Sequence, residues 1–235
     1  MRMIGFSSGA IAYGDFRLAL DMLSGVKLAC LELSALRVSE LENLVEALPD
    51  LDLSGYAYIS FHAPSSFSKE QEKWVSDILY SSVPEGWPIV MHPDTIHDFS
   101  HWRRFGKRLA IENMDRRKPV GRSAQELHSI FQQLPDASLC FDVGHARQCD
   151  ASMTEAFLIL SNLGNRLVQV HISEVNSASQ HDPISHGAKL AFQQIARLIP
   201  DNIPVIVESK VSAPQIQREI QQAIESLMSR VACMA

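Results

Sequence analysis

The residues equipped for chemistry are the ionisable ones that end short apolar runs. Glu32, His62, His92, Glu112, Asp142 with His145, His171 and Glu208 each fall at the end of such a run, and the residues before them are mainly apolar. One histidine or glutamate in such a place is ordinarily just hydrogen-bonded. Seven runs ending this way are different, because carboxylates and imidazoles gathered in one place are desolvated and repel one another, and a bound cation removes both penalties. Imidazole nitrogens with carboxylate oxygens and no thiolate suit a divalent transition metal, zinc first, with manganese, iron or cobalt also fitting; calcium and magnesium prefer all-oxygen shells.

The nine histidines divide by position. His97, His101 and His128 lie in helical or irregular stretches and read as solvated. His62, His92, His145 and His171 close apolar runs. His181 and His186 belong to SEVNSASQHDPISHG, 173–187, whose Ser, Asn and Gly content suits a lid or a ligand-bearing loop.

Eight β-rich runs must position these groups: IGFSS from Ile4, LACLELS from Leu28, YAYISFH from Tyr56, PIVMH from Pro88, RLAIEN from Arg108, SLCFDVGH from Ser138, RLVQVHIS from Arg166 and PVIVES from Pro204. They are apolar without strict alternation, as strands covered on both faces are. Helical patterns separate them. Capping pairs are expected at Ser39 with Glu42, Ser68 with Gln71, Ser123 with Glu126 and Ser152 with Glu155. Pro214 suits the first turn of a last helix, whose apolar positions Ile216, Ile220, Ala223, Ile224, Leu227 and Val231 keep helical spacing. The stretch from His92 to Arg108 is the least regular.

Eight strand-then-helix units predict an α/β fold, a single (β/α)8 TIM barrel occupying 1–235 as one domain. An open doubly wound sheet is the rival, but no GxGxxG follows the first strand. In a barrel, the ends of the strands converge on one mouth.

Composition limits the partners. The chain has 235 residues, 46% of them hydrophobic, with 21 Lys plus Arg against 27 Asp plus Glu, a net charge of −6. A dedicated nucleic-acid binder usually carries the opposite sign. Cys30, Cys140, Cys149 and Cys233 form no CxxC pair and read as reduced thiols. No signal peptide or membrane span is evident, so a soluble, cytoplasmic protein is expected. Asp115-Arg116-Arg117-Lys118 after the fifth strand and Arg147 after the sixth could hold one phosphate; Arg116, Arg147 and His186 are the candidate substrate-binding residues. The basic cluster 101–108 precedes the fifth strand and should lie on the opposite face.

The ordered strings FHAPSSF at 61–67, VMHPD at 90–94, IEN at 111–113, FDVGH at 141–145, VHISE at 170–174 and IVES at 206–209 resemble the xylose isomerase-like TIM barrels, also called AP endonuclease family 2. HAP, MHP, IEN and DxGH look most like endonuclease IV within that group. The resemblance implies a two- or three-metal centre that hydrolyses a phosphoester. His62, His92 and Glu112 would hold one metal, and Glu112 would bridge to a second held by Asp142, His171 and Glu208. A third would take His145 and His181. Its expected aspartate is Ser179 here, so Asp182 or Glu174 would substitute, or the site would resemble that of the UV-damage endonucleases, similar barrels with fewer carboxylates there. Glu112, Glu208 and His145 are the implied catalytic residues. The substrate would be a small molecule or phosphoester, with duplex DNA left open.

The sugar isomerase and epimerase branch resembles the chain too. Its single metal would use Glu112, Asp142, His171 and Glu208, with Glu112 and Glu208 moving the proton. The arginine that ketose 3-epimerases carry six residues after the strand-seven histidine is Ser177 here.

Overall fold

In the computed structural model, which describes residues 2–228, all eight apolar runs become parallel strands that close on themselves. Chain order gives β1 (Ile4–Ser7), β2 (Cys30–Ser34), β3 (Tyr58–His62), β4 (Ile89–Met91), β5 (Leu109–Glu112), β6 (Ser138–Asp142) and β7 (Leu167–Ile172). A two-stranded hairpin, β8 (Glu174–Val175) and β9 (His181–Asp182), precedes the last barrel strand, β10 (Val205–Val207), which pairs with both β7 and β1. The expected TIM barrel is therefore observed. Cys233 and Val231 lie outside the described residues.

The helices are α1 (Ser8–Ala12), α2 (Phe16–Leu23), α3 (Val38–Ala47), α4 (Lys69–Ser82), α5 (Ala124–Gln133), α6 (Val143–Cys149), α7 (Thr154–Leu163), α8 (His186–Phe192) and α9 (Ile216–Ser226). Ile216, Ile220, Ala223 and Leu227 of the last helical pattern are buried. Alternate strand residues such as Leu31, Phe61, Ile89, Ile111, Leu139, Val170 and Val207 join the helices in one continuous apolar core. The intervening residues face the barrel axis by the period of two. There Val90, Ala110 and Cys140 form a small separate cluster. Cys30 and Cys140 are buried free thiols; burial raises the Cys30 pKa to about 12.

Between β4 and β5 the chain makes only short 3-10 turns, which is why its sequence lacks a helical period. The cause is Glu72 of α4. Its buried carboxylate accepts the backbone N–H groups of His97 and Asp98 and the Trp102 indole N–H, doing for this loop what a helix ladder would do.

Two capping expectations are corrected. α3 starts one residue before Ser39, at Val38: Arg37 is its N-cap, and Glu40 accepts the Arg37 backbone N–H. Before α7, Asp150 rather than Ser152 receives the Glu155 N–H, while Glu155 reaches across to the Ala124 N–H. The Ser68 N–H to Gln71 bond is present, and Ser123 accepts from the Glu126 N–H. Competing side chains within hydrogen-bond reach decide such caps, and spacing alone does not rank them.

Candidate metal centre

Each strand delivers its polar residue to the mouth because the parallel register aligns strand ends. His62 pairs across from Ser34, and Asp142 from His171. Asn113 stitches β5 to β6: its amide donates to the Asp142 carbonyl and its side-chain oxygen accepts the Asp142 N–H, both at 2.8 Å. Asp142 then caps α6, with Oδ1 accepting the His145 N–H at 2.6 Å. Gly144 is required here, since a Cβ would sit 2.5 Å from the Ser173 carbonyl oxygen. Within the 173–187 stretch, 174–182 forms a hairpin, and pairing of Val175 with His181 returns His181 to the mouth.

Glu112 is the hub. Oε2 lies 3.3 Å from His62 Nε2 and 3.2 Å from His92 Nε2, while Oε1 lies 3.3 Å from His171 Nδ1 and 3.4 Å from His145 Nδ1. His171 Nδ1 is also 3.4 Å from Glu208 Oε2. The donor atoms form overlapping groups able to hold a cation: His62, His92 and Glu112; Glu112, Asp142, His171 and Glu208; Asp142, His145 and His181; and His62, His171 and Glu208. Every predicted ligand position falls in one of these groups, and His62, His92, Glu112, His145, His181 and Glu208 also line one cavity.

Outer hydrogen bonds orient these rings. His62 Nδ1 is 2.7 Å from the Ala63 carbonyl, which leaves Nε2 for the cavity. His145 Nδ1 lies 3.0 Å from the Asn113 carbonyl, and His181 Nδ1 lies 2.8 Å from Ser173 Oγ.

Electrostatics asks for positive charge. Burial, then the neighbouring charges of Glu112 and Glu208, push the Asp142 carboxyl well above its usual range. Its Oδ2 is buried with no hydrogen-bond partner among the described residues. Burial opposes ionisation of Glu112, but the His171 charge and hydrogen bonds from His171, His62 and His92 hold it well below. Burial would lower His62, yet the Glu112 hydrogen bond and the charges of Glu32, Glu112 and Glu208 raise it to about 9. Crowded carboxylates, one orphaned oxygen and protons borrowed by imidazoles fit a site built for cations.

The structure departs from the sequence expectations at Glu32, at Arg116, Arg147 and His186, and at the substitutes for an aspartate at 179. Glu32 does not end its strand; it lies mid-strand, opposite Ser60, one layer below the mouth. Arg116 turns outward, donating to the Gln148 carbonyl, Arg147 pairs with Glu174 at 2.9 Å, and His186 opens α8; none of the three lines the cavity. The proposed substitutes for an aspartate at 179 are committed elsewhere, Glu174 to Arg147 and the Ser185 N–H, Asp182 to Asn176. Ser179 itself donates to Asp115 at 2.7 Å, so Asp142 completes the group with His145 and His181.

The cavity, about 490 Å³, is also lined by Asp115, Arg117 and Lys118 of the stretch expected to hold a phosphate, and by Tyr13 and Lys210, which the sequence did not single out. Asp115 accepts the Arg117 N–H at 2.8 Å, and that tight turn sends Arg116 and Arg117 in opposite directions. Lys118 is paired with Asp94 at 2.8 Å, and the Lys210 ammonium sits 4.5 Å over the Tyr13 ring. The 101–108 cluster lies at the other end of β5, where Arg108 donates to the Val83 and Pro84 carbonyls and Arg103 to that of Gln133.

A closed eight-stranded parallel barrel with acids and imidazoles at the C-terminal ends of its strands defines the class. The chain belongs to the xylose isomerase-like TIM barrel family (AP endonuclease family 2), whose model matches residues 98–230. Among solved structures, a protein provisionally described as a sugar phosphate isomerase/epimerase from Anabaena variabilis aligns at TM-score 0.57 and 16% identity, over 94% of this chain and 88% of that one. Another, provisionally described as an aldo-keto reductase from Pseudomonas aeruginosa, aligns at TM-score 0.51 and 11% identity, over 96% and 90%. At these identities the likeness is one of fold. No curated protein matches the chain. No helix among the described residues is long and apolar enough to cross a membrane.

Proposed function

We propose that the protein is a metal-dependent phosphoester hydrolase that works with at least two divalent transition-metal ions, zinc foremost. The observation that carries this reading is Glu112, whose two carboxylate oxygens face different imidazole pairs, His62 with His92 and His171 with His145. A carboxylate serving one cation has no need of both.

When bound, such cations neutralise phosphoryl charge and supply Lewis acidity at neutral pH. Glu112, kept ionised by its imidazoles, would bridge the two groups. Against burial, the charge and hydrogen bond of His171 and the charge of His181 hold Glu208 below the usual carboxylate range, which keeps it ionised as a partner for a cation; as the implied catalytic carboxylate it would take a proton from incoming water. His145 and His181, with ring centroids 5.3 Å apart, would steady the leaving-group side. Arg117 and Lys210 would meet the rest of the phosphoester. A small phosphoester suits this mouth better than duplex DNA, which is gripped through roughly six to ten phosphate contacts.

A second reading is a sugar phosphate isomerase or epimerase with one metal on Glu112, Asp142, His171 and Glu208. That group and the fold likeness to the Anabaena protein favour it. Glu112 and Glu208 would then move the proton, with His62 and His92 contacting hydroxyls.

Metal stoichiometry separates the two. Elemental analysis of purified protein is expected to find two or more transition-metal ions per chain, with His62→Ala losing one. One ion, indifferent to His62, favours the isomerase. Parallel assays on phosphodiester model substrates, abasic-site DNA and a ketose phosphate panel test the reaction class directly.

A further inference from the structure

We propose that Ser179 is a positioning residue: its hydroxyl docks the tip of the β8–β9 hairpin on the loop after β5 and thereby aims the Arg117 guanidinium into the mouth. This deepens the phosphoester reading and rests on it, since it assigns the anionic group of the substrate to Arg117. The backbone at Ser179 is left-handed, with φ 53°. Glycine occupies that region freely, and a serine only at a cost. The turn itself asks for no serine. Its N–H donates to the Asn176 carbonyl at 2.9 Å, and Asn176 Oδ1 accepts the Ala178 and Gln180 N–H groups at 2.9 and 3.1 Å, so Asn176 and the backbone shape the tip by themselves. A serine kept against the backbone preference is kept for its hydroxyl.

That hydroxyl is engaged as donor and as acceptor. Ser177, Ala178 and Gln180 around it are exposed, as a hairpin tip ordinarily is, yet Ser179 is buried. Oγ donates to Asp115 Oδ1 at 2.7 Å and accepts from Gln148 Nε2 at 2.8 Å, and the same Gln148 amide donates to the Asn176 carbonyl at 2.7 Å. Side chains from the loop after β5 and from α6 thus clamp the tip. What the clamp presents is the Ser179 carbonyl, which accepts from Arg117 Nη2 at 3.2 Å. Asp115 Oδ1 takes the Arg117 backbone N–H at 2.8 Å and lies 3.6 Å from its Nε. The hydrogen-bonded pair Asp115 and Ser179 therefore holds Arg117 at both ends. Its side chain is still 62% exposed and lines the cavity. Among the described residues the guanidinium has donors to spare for a phosphoryl oxygen, in the fork geometry that such oxygens fit.

The test is a double-mutant cycle in the full chain as purified, with inorganic phosphate as the probe and titration calorimetry as the measurement. Ser179→Gly removes the hydroxyl and suits the backbone, so it is expected to melt at or near the wild-type temperature. Phosphate is expected to bind it about 3–10-fold more weakly, the loss that one orienting hydrogen bond implies. Arg117→Met is expected to weaken phosphate at least as much. In that background Ser179→Gly is expected to add nothing, because a positioning residue acts only through the group it positions. Wild-type affinity in Ser179→Gly, or losses that add in the double variant, would overturn the proposal. Ser179→Ala carries the same expectations and serves should the glycine variant not fold. A wild-type chain that binds no phosphate removes the phosphoester reading and this proposal with it, whereas additive losses remove this proposal alone.

Discussion

Asp142 Oδ1 accepts the His145 backbone N–H at 2.6 Å, so the residue that caps α6 also keeps an unpartnered, buried Oδ2 for the proposed cation site. The two duties can be separated. Asp142→Asn keeps a cap acceptor but removes the charge. It should lose one bound ion, and without metal it should be at least as stable as wild type, because a carboxyl crowded by Glu112 and Glu208 is gone. Asp142→Ala loses the cap too and should be about 1 kcal/mol less stable than the Asn variant. Elemental analysis and urea unfolding check both; equal loss of stability in the two variants refutes the crowding argument.

Chelation should destabilise the fold. An ion present at 100 times its dissociation constant stabilises by about 2.7 kcal/mol, or about 5–10 °C in Tm for a chain of this size. Complete metal removal followed by calorimetry measures it. A melting temperature unmoved by removal and re-addition speaks against an ordered centre.

Asn113 ties β5 to β6 through both hydrogen bonds to the Asp142 backbone. Asn113→Ala orphans a buried N–H and a buried carbonyl, at about 1–3 kcal/mol each. Denaturant unfolding should show a loss of that order, and metal affinity should fall with it because Asp142 is released. Full affinity in the variant would mean that Asp142 is placed by something else.

Gly144→Ala drives a Cβ to 2.5 Å from the Ser173 carbonyl oxygen, backbone that cannot swing aside. A cost of about 1–3 kcal/mol is expected from such overpacking. Thermal unfolding at wild-type temperature would show that α6 can withdraw from β7.

Acid stability should report on Asp150. Its carboxylate is held below the usual range chiefly by the Ser152 hydroxyl, then by the Glu155 N–H. A lowered folded-state pKa means that its stabilisation is present above the unfolded value of about 3.9 and lost as pH falls through the folded one. The stability gap between wild type and Asp150→Asn should stay level from pH 7 to 5 and shrink below about pH 4. Urea unfolding across that range tests the sign; a gap unchanged at pH 3 would rule it out.

Legibility followed range. The strand runs and the strand-end positions of the candidate ligands could be read locally, since apolar runs mark strands and a barrel sends all their ends to one mouth. Arg116 and Arg117 are indistinguishable in sequence, because neighbouring loop residues look alike until Asp115 makes its turn. Lys210, two residues past Glu208, carried a readable signal in its position after the last strand. Ser39 failed as a cap because α3 already begins at Val38, which leaves Ser39 inside the helix, and Ser152 failed because Asp150 took the Glu155 N–H.

By itself the amino-acid order determined that eight strands form and that His62, His92, Glu112, Asp142, His171 and Glu208 follow one another around a ring. Only the tertiary structure decided depth and partners: that Glu32 lies beneath His171, that Glu112 faces two imidazole pairs, and that Arg147 belongs to Glu174. Periodicity is a property of neighbouring residues, whereas register and hydrogen-bond choice are settled between strands far apart in the chain, where no local pattern records them.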